Sequence, residues 1–188
     1  FETERALLQT LRRRYGDSLA LRADANQAWS AEQARGYLDQ LAEFDLEYLE
    51  EPAPDPARCW SALVGRGVPL ALDESLLHPR AQPWVEALLA RGAVAALILK
   101  PALLGGLIAA AKWAALAARH RAGFVISHLF DGPVALAACA HLALALGAER
   151  ACGLAPHPGL RAWPACDLGY VHAAHIDAPT SPGFAVAL

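Results

Sequence analysis

Ala95-Ala96-Leu97-Ile98-Leu99-Lys100 decides the fold: five apolar residues run straight into a lysine. A run this short, bounded by a charge, suits a strand buried on both faces better than a helix. Four other runs have the same form. Leu19-Ala20-Leu21-Arg22-Ala23 leads to Asp24, Leu46-Glu47-Tyr48-Leu49 to Glu50, Pro69-Leu70-Ala71-Leu72 to Asp73, and Phe124-Val125-Ile126 to Ser127. The polar residues that close these runs are 26, 23, 27 and 27 residues apart.

Helical patterns fill the intervals. Ser30 to Phe44 opens on an N-cap serine and places Tyr37, Leu38 and Leu41 at helical spacing. Gly106 to His120 and Val134 to Leu146 are rich in Ala and Leu, and residues 83–91 read as a shorter helix. A strand and a helix about every 25 residues imply repeated βα units on a parallel sheet. The opening segment, Glu2 to Tyr15, also reads as a helix and implies a strand ahead of Phe1. Residues 1–153 are expected to form a β/α barrel part, with a last short strand near Ala151 and an irregular tail over 154–188. Loop signals in that tail are His157-Pro158-Gly159, Trp163-Pro164 and Ser181-Pro182-Gly183. A complete eight-unit barrel takes about 250 residues, so the 188 present are short of one.

Composition narrows the function. The chain is 55% hydrophobic with a formal net charge of −3, which gives no electrostatic case for nucleic acid or an anionic membrane. No secretory signal opens it, and the longest uncharged stretch, Gly132 to Ala148, falls short of a membrane span. Cys59, Cys139, Cys152 and Cys166 form no C-x-x-C pair and fit a reducing cytoplasm. Only Lys100 and Lys112 stand beside fourteen arginines. A position that keeps lysine calls for a compact ammonium whose pKa can be tuned.

In a parallel barrel the C-terminal strand ends converge on one mouth. Here they bring Asp24, Glu50, Asp73, Lys100 and Ser127. Three convergent carboxylates repel one another unless a cation joins them. Hard oxygen donors suit Mg²⁺, which leaves positions for substrate oxygens. Such an ion can stabilise the charge that builds on a substrate carboxylate when its α-proton leaves. Taken singly, each residue is as well explained as a turn or a strand end; their order and spacing carry the reading.

Arg22-Ala23-Asp24-Ala25-Asn26-Gln27-Ala28-Trp29 resembles the D-A-N-x-x-W segment of the enolase superfamily's muconate-lactonizing subgroup. Tyr48-Leu49-Glu50-Glu51-Pro52 resembles its E-E-P segment, Leu72-Asp73-Glu74-Ser75 its D-E-S segment, and Leu99-Lys100-Pro101 with Gly105-Gly106 its sixth-strand lysine segment. The Lys-Pro pair and Arg22 favour the o-succinylbenzoate synthases within that subgroup. The resemblance implies a C-terminal TIM-like barrel part, without the capping domain and first barrel strands. It implies Mg²⁺ on Asp24, Glu50 and Asp73, and Asn26 beside metal or substrate. Lys100 would stabilise the enediolate, with Gly105, Ser127 and Asp131 on the substrate side. The implied reaction is a carbon–oxygen lyase step that dehydrates a small succinylated carboxylate on the way to menaquinone.

Two departures accompany the resemblance. The family's acid/base lysine, in a K-x-K motif on the second barrel strand, would precede Phe1. Ser127-His128-Leu129-Phe130-Asp131-Gly132 replaces a serine-rich segment that ends in Glu, with Asp131 in that place. Alternatives are an N-acylamino acid racemase or dipeptide epimerase of the same subgroup, and a non-catalytic truncated chain. Unpaired barrel edges lead us to expect self-association. His172-x-x-His175 and His128 read as solvated or packed side chains rather than ligands, and Arg12-Arg13-Arg14 as a solvated helix face.

Overall fold

The structure, a computed structural model, describes residues 1–155, 157–162, 171–172, 175–177 and 183. The sequence signals at Cys166, Trp163-Pro164 and Ser181-Pro182 lie outside the described residues. The chain divides into two compact units, Phe1–Ala96 and Leu97–Leu188.

The first unit contains α1 (Glu2–Tyr15), β1 (Arg22–Asp24), α2 (Ala31–Leu41), β2 (Tyr48–Glu50), α3 (Pro56–Cys59), β3 (Leu70–Leu72) and α4 (Ala81–Ala90). Strand β4 (Ala96–Leu99) spans the division. The second unit adds α5 (Pro101–Leu104), α6 (Leu107–Arg119), β5 (Gly123–Ile126), α7 (Pro133–Ala145) and a short antiparallel pair, β6 (Val171–His172) with β7 (His175–Ile176). Strands β1 to β5 follow one another in the sheet as they do in the chain. The βα alternation expected from the apolar runs is therefore present. Its strands are shorter than the runs, and Asp24 and Glu50 are last residues of strands rather than the residues that follow them.

In the first unit, β1 pairs with β2 and β2 with β3, all parallel. Every residue of β3 is buried, whereas β1 is half-buried or exposed. Trp60, Tyr48, Leu38, Leu49, Leu63, Leu72 and Leu89 are buried almost completely. Each such side chain contributes about 1.5–3 kcal/mol relative to exposure. Helix α2 begins with a capping box: Ser30 Oγ accepts from the Gln33 amide at 3.1 Å, and Gln33 Oε1 accepts from the Ser30 amide at 2.9 Å.

Helix α1 has acids in its first turn and arginines in its last, which suits the helix dipole, but none of its residues is fully buried. Arg12 fastens it. Its guanidinium donates to the carbonyls of Phe44 (3.0 and 2.6 Å), Asp45 (3.0 Å), Gly16 (2.7 Å) and Leu19 (2.9 Å). This corrects the expectation of a solvated triplet, which holds for Arg13 and Arg14 alone. The Phe1 ring also stacks on Tyr37, with centroids 3.8 Å apart.

In the second unit, the Ser127 amide donates to the Leu99 carbonyl at 2.9 Å, and Ser127 forms a parallel bridge with Gly153. The uncharged stretch contains α7, a helix whose Leu136, Ala137, Cys139 and Ala140 are buried while Val134 and Leu144 are exposed. No described helix is long and apolar enough to cross a membrane.

Candidate active site

The carboxylates come from the first unit. Asp24 and Glu50 are register partners across the β1–β2 pair. Glu50 in turn partners Ala71 of β3, and Asp73 stands two residues further on, just past the end of that strand. Asp24 is exposed, Glu50 half-buried and Asp73 buried. Asp24 Oδ1 accepts from the Asn26 amide at 2.8 Å, closing a local turn. The donor set, three hard carboxylates at neighbouring register positions, fits Mg²⁺. Among the described residues, no three His, Cys, Asp or Glu side chains are grouped closely enough to hold a metal ion.

Arg22 lies two residues before Asp24. Its Nε donates to Glu47 at 2.7 Å, and its guanidinium sits 4.8 Å from the centre of the Tyr48 ring. Burial works against the Arg22 charge, but Glu47, Tyr48 and Glu50 outweigh it and hold the pKa above the ordinary arginine value.

The sequence reading missed Glu51, the second acid of the E-E-P segment. It is wholly buried. Oε1 accepts from the amides of Asp73 (2.8 Å) and Ser75 (2.9 Å), and Oε2 from Ser75 Oγ (2.7 Å) and Gln27 Nε2 (3.0 Å). One signal was available. Glu51 lies among Leu49, Pro52 and Ala53, an apolar setting for a carboxylate. Close by, a cavity of about 600 Å³ is lined by Gln27, Asp55, Glu74, Ser75, His78 and Trp84, among others. Its size suits a small ligand.

Lys100, Gly105, Ser127 and Asp131 belong to the second unit. Lys100 follows β4, half-buried, at the cap position ahead of Pro101. Gly105 ends α5 at φ 93°, a left-handed conformation that glycine adopts without strain. Ser127 Oγ lies 3.4 Å from the Gly153 carbonyl. Asp131 is drawn into its own loop. Its Oδ2 accepts from the Leu129 amide at 3.1 Å, and its carbonyl lies 2.8 Å from His157 Nε2. The His157 ring stacks on His128 at 5.4 Å, and Phe130, 77% exposed, meets both edge-on. Burial lowers the His128 pKa, with His157 acting in the same sense and Asp131 and a hydrogen bond with the Ala155 backbone opposing.

Parallel βα units with strand-end acids in this order define a class, and the chain belongs to it: residues 1–188 match the family described as Enolase C-terminal domain-like, a part of the enolase superfamily. Among its relatives, the o-succinylbenzoate synthase of Desulfotalea psychrophila is 35% identical over 143 residues, covering 74% of this chain and 39% of that protein. The crystal structure of MenC from the same organism superposes with a TM-score of 0.73 at 31% identity, covering 84% of this chain and 45% of that one. The muconate lactonizing enzyme of Pseudomonas putida shares the fold, with a TM-score of 0.78 at 23% identity over 100% of this chain and 52% of that one. The chain thus spans less than half the length of the synthase it matches.

Proposed function

We propose that this chain is the barrel part of an o-succinylbenzoate synthase-type lyase. The observation that carries the reading is the register of Asp24 against Glu50, with Asp73 just past the end of the neighbouring β3. The 35% identity to a synthase supports the choice of reaction. Asp24, Glu50 and Asp73 would hold Mg²⁺, with Asn26 beside it. The bound ion would supply stabilisation for the charge that develops on the substrate carboxylate.

The chain's own residues supply the rest. Lys100 presents an ammonium that steadies the anion formed when the α-proton leaves. Ser127, Gly105 and Asp131 orient the succinyl end of a small carboxylate substrate. The proton is taken by a lysine outside residues 1–188. The carbon–oxygen bond then breaks, and the departing hydroxide recovers that proton to leave as water. The cytoplasm is the setting we propose, and self-association belongs to the same reading.

The test is an absorbance assay for o-succinylbenzoate, run beside a racemisation assay on N-succinyl amino acids. Residues 1–188 alone are expected to show no turnover. Joined to an upstream segment that brings the second lysine, they are expected to dehydrate the substrate. Lys100→Arg in the joined enzyme keeps the charge but changes its shape, and lowers turnover by roughly 10²-fold or more, as loss of a placed catalytic group does. Racemisation without dehydration would replace the lyase with an epimerase of the same family. Turnover by residues 1–188 alone would refute the assignment of the proton to a second lysine.

A further inference from the structure

We infer that Glu51 is the positioning residue that sets the spacing of the three strand-end ligands; the inference rests on the metal reading above. Its carboxylate is 0% exposed and meets donors on every side. It forms no ion pair with any described residue. A buried carboxylate without a cation is a costly way to fill a core, and an apolar side chain would serve packing better. What the carboxylate does instead is join three strand ends. It is the neighbour of Glu50 on β2. It takes the amide of Asp73 itself and that of Ser75, which fixes the turn leaving β3. It takes the side chain of Gln27, and the Glu51 carbonyl accepts from the Gln27 amide at 2.8 Å, which fixes the loop carrying Asn26.

That loop needs holding. Asn26 (φ 46°), Gln27 (φ 57°) and Glu51 (φ 40°) all adopt left-handed backbone, which side-chain-bearing residues keep only where their surroundings enforce it. Four hydrogen bonds to one ionisable group supply that enforcement. Three carboxylates that are to share one cation would repel one another before it arrives, so their backbones would have to be held from behind. Glu51 is the group in place to do so.

The test is Mg²⁺ titration calorimetry on the full chain, with amide hydrogen exchange read at Asp73 and Ser75. Glu51→Gln keeps the shape but sets one amide NH₂ against that of Gln27. Mg²⁺ affinity should fall by roughly 10- to 100-fold, as it does when groups that orient metal ligands are lost, and both backbone amides should exchange faster. Adding Gln27→Glu restores a donor facing an acceptor, and the double variant should recover most of the affinity. A purely structural role would change exchange without this paired loss and recovery of affinity. Unchanged affinity in Glu51→Gln, or no recovery in the double variant, overturns the positioning role alone. No Mg²⁺ uptake by the unmodified chain overturns the metal reading and the positioning role with it. If Glu51→Gln does not fold, Ser75→Ala decides: it removes only the hydroxyl donor, and a smaller loss of affinity supports the role while unchanged affinity overturns it.

Discussion

Gly153 makes room for Ser127: a Cβ built on Gly153 would stand 2.7 Å from the Ser127 hydroxyl oxygen and 3.3 Å from its Cβ. Gly153→Ala should therefore force the serine off its rotamer or push the bridge apart, at about 1–3 kcal/mol, the usual cost of overpacking. Chemical denaturation measures it. Ser127→Gly in the same chain should return most of the loss, because it removes the atoms that clash.

Asp73→Asn replaces an anion with an amide at the most buried of the three proposed ligands. Mg²⁺ binding should weaken in calorimetry, because one anionic ligand is lost. Unchanged Mg²⁺ affinity would remove Asp73 from the ligand set.

Cys139 should resist alkylation. Burial, with the nearby charge of Asp131, pushes its thiol up to about 11. At pH 8 only about a thousandth of it is thiolate, the reactive form. Cys59 and Cys152 are half-exposed. Timed iodoacetamide labelling followed by peptide mass analysis should find both modified well before Cys139, with Cys139 reacting only as the chain unfolds.

The lowered His128 pKa makes stability depend on acidity. The unfolded chain takes the proton near 6.5, the folded chain only at lower pH. As pH falls below about 6.5 the unfolded state binds more protons and stability drops; above 6.5 the full contribution is present. Unfolding midpoints measured between roughly pH 7.5 and 5 should decline for the natural chain and decline less for His128→Gln. An equal slope in both would show that the effect does not come from His128.

The strand ends were legible because a parallel strand buried on both faces reads as an apolar run, and the first polar residue after it marks the mouth. Asp73, Lys100 and Ser127 each follow their strand as that logic requires. Asp24 and Glu50 end theirs from within, since the register that pairs them extends the ladder by one residue, and local hydrophobicity does not encode register. Glu51 escaped for a related reason. Its donors come from 24 and 22 residues away in the chain, and the apolar neighbours that mark it as buried do not reveal those partners. Arg12 likewise looks like its two neighbours until the carbonyls of Phe44 and Asp45 are placed.

The attachment of α1 through Arg12 also bears on how the molecule comes apart. A helix with no fully buried residue has little apolar surface to keep it docked, so the Arg12 hydrogen bonds, the Arg5–Glu43 ion pair and the packing of Phe1 on Tyr37 and Trp29 do much of the holding. Local opening of that kind proceeds below the free energy of global unfolding. The helix can swing away while the sheet behind it stays folded, and a protease present at low concentration would nick the exposed segment around Gly16 before it touched any strand.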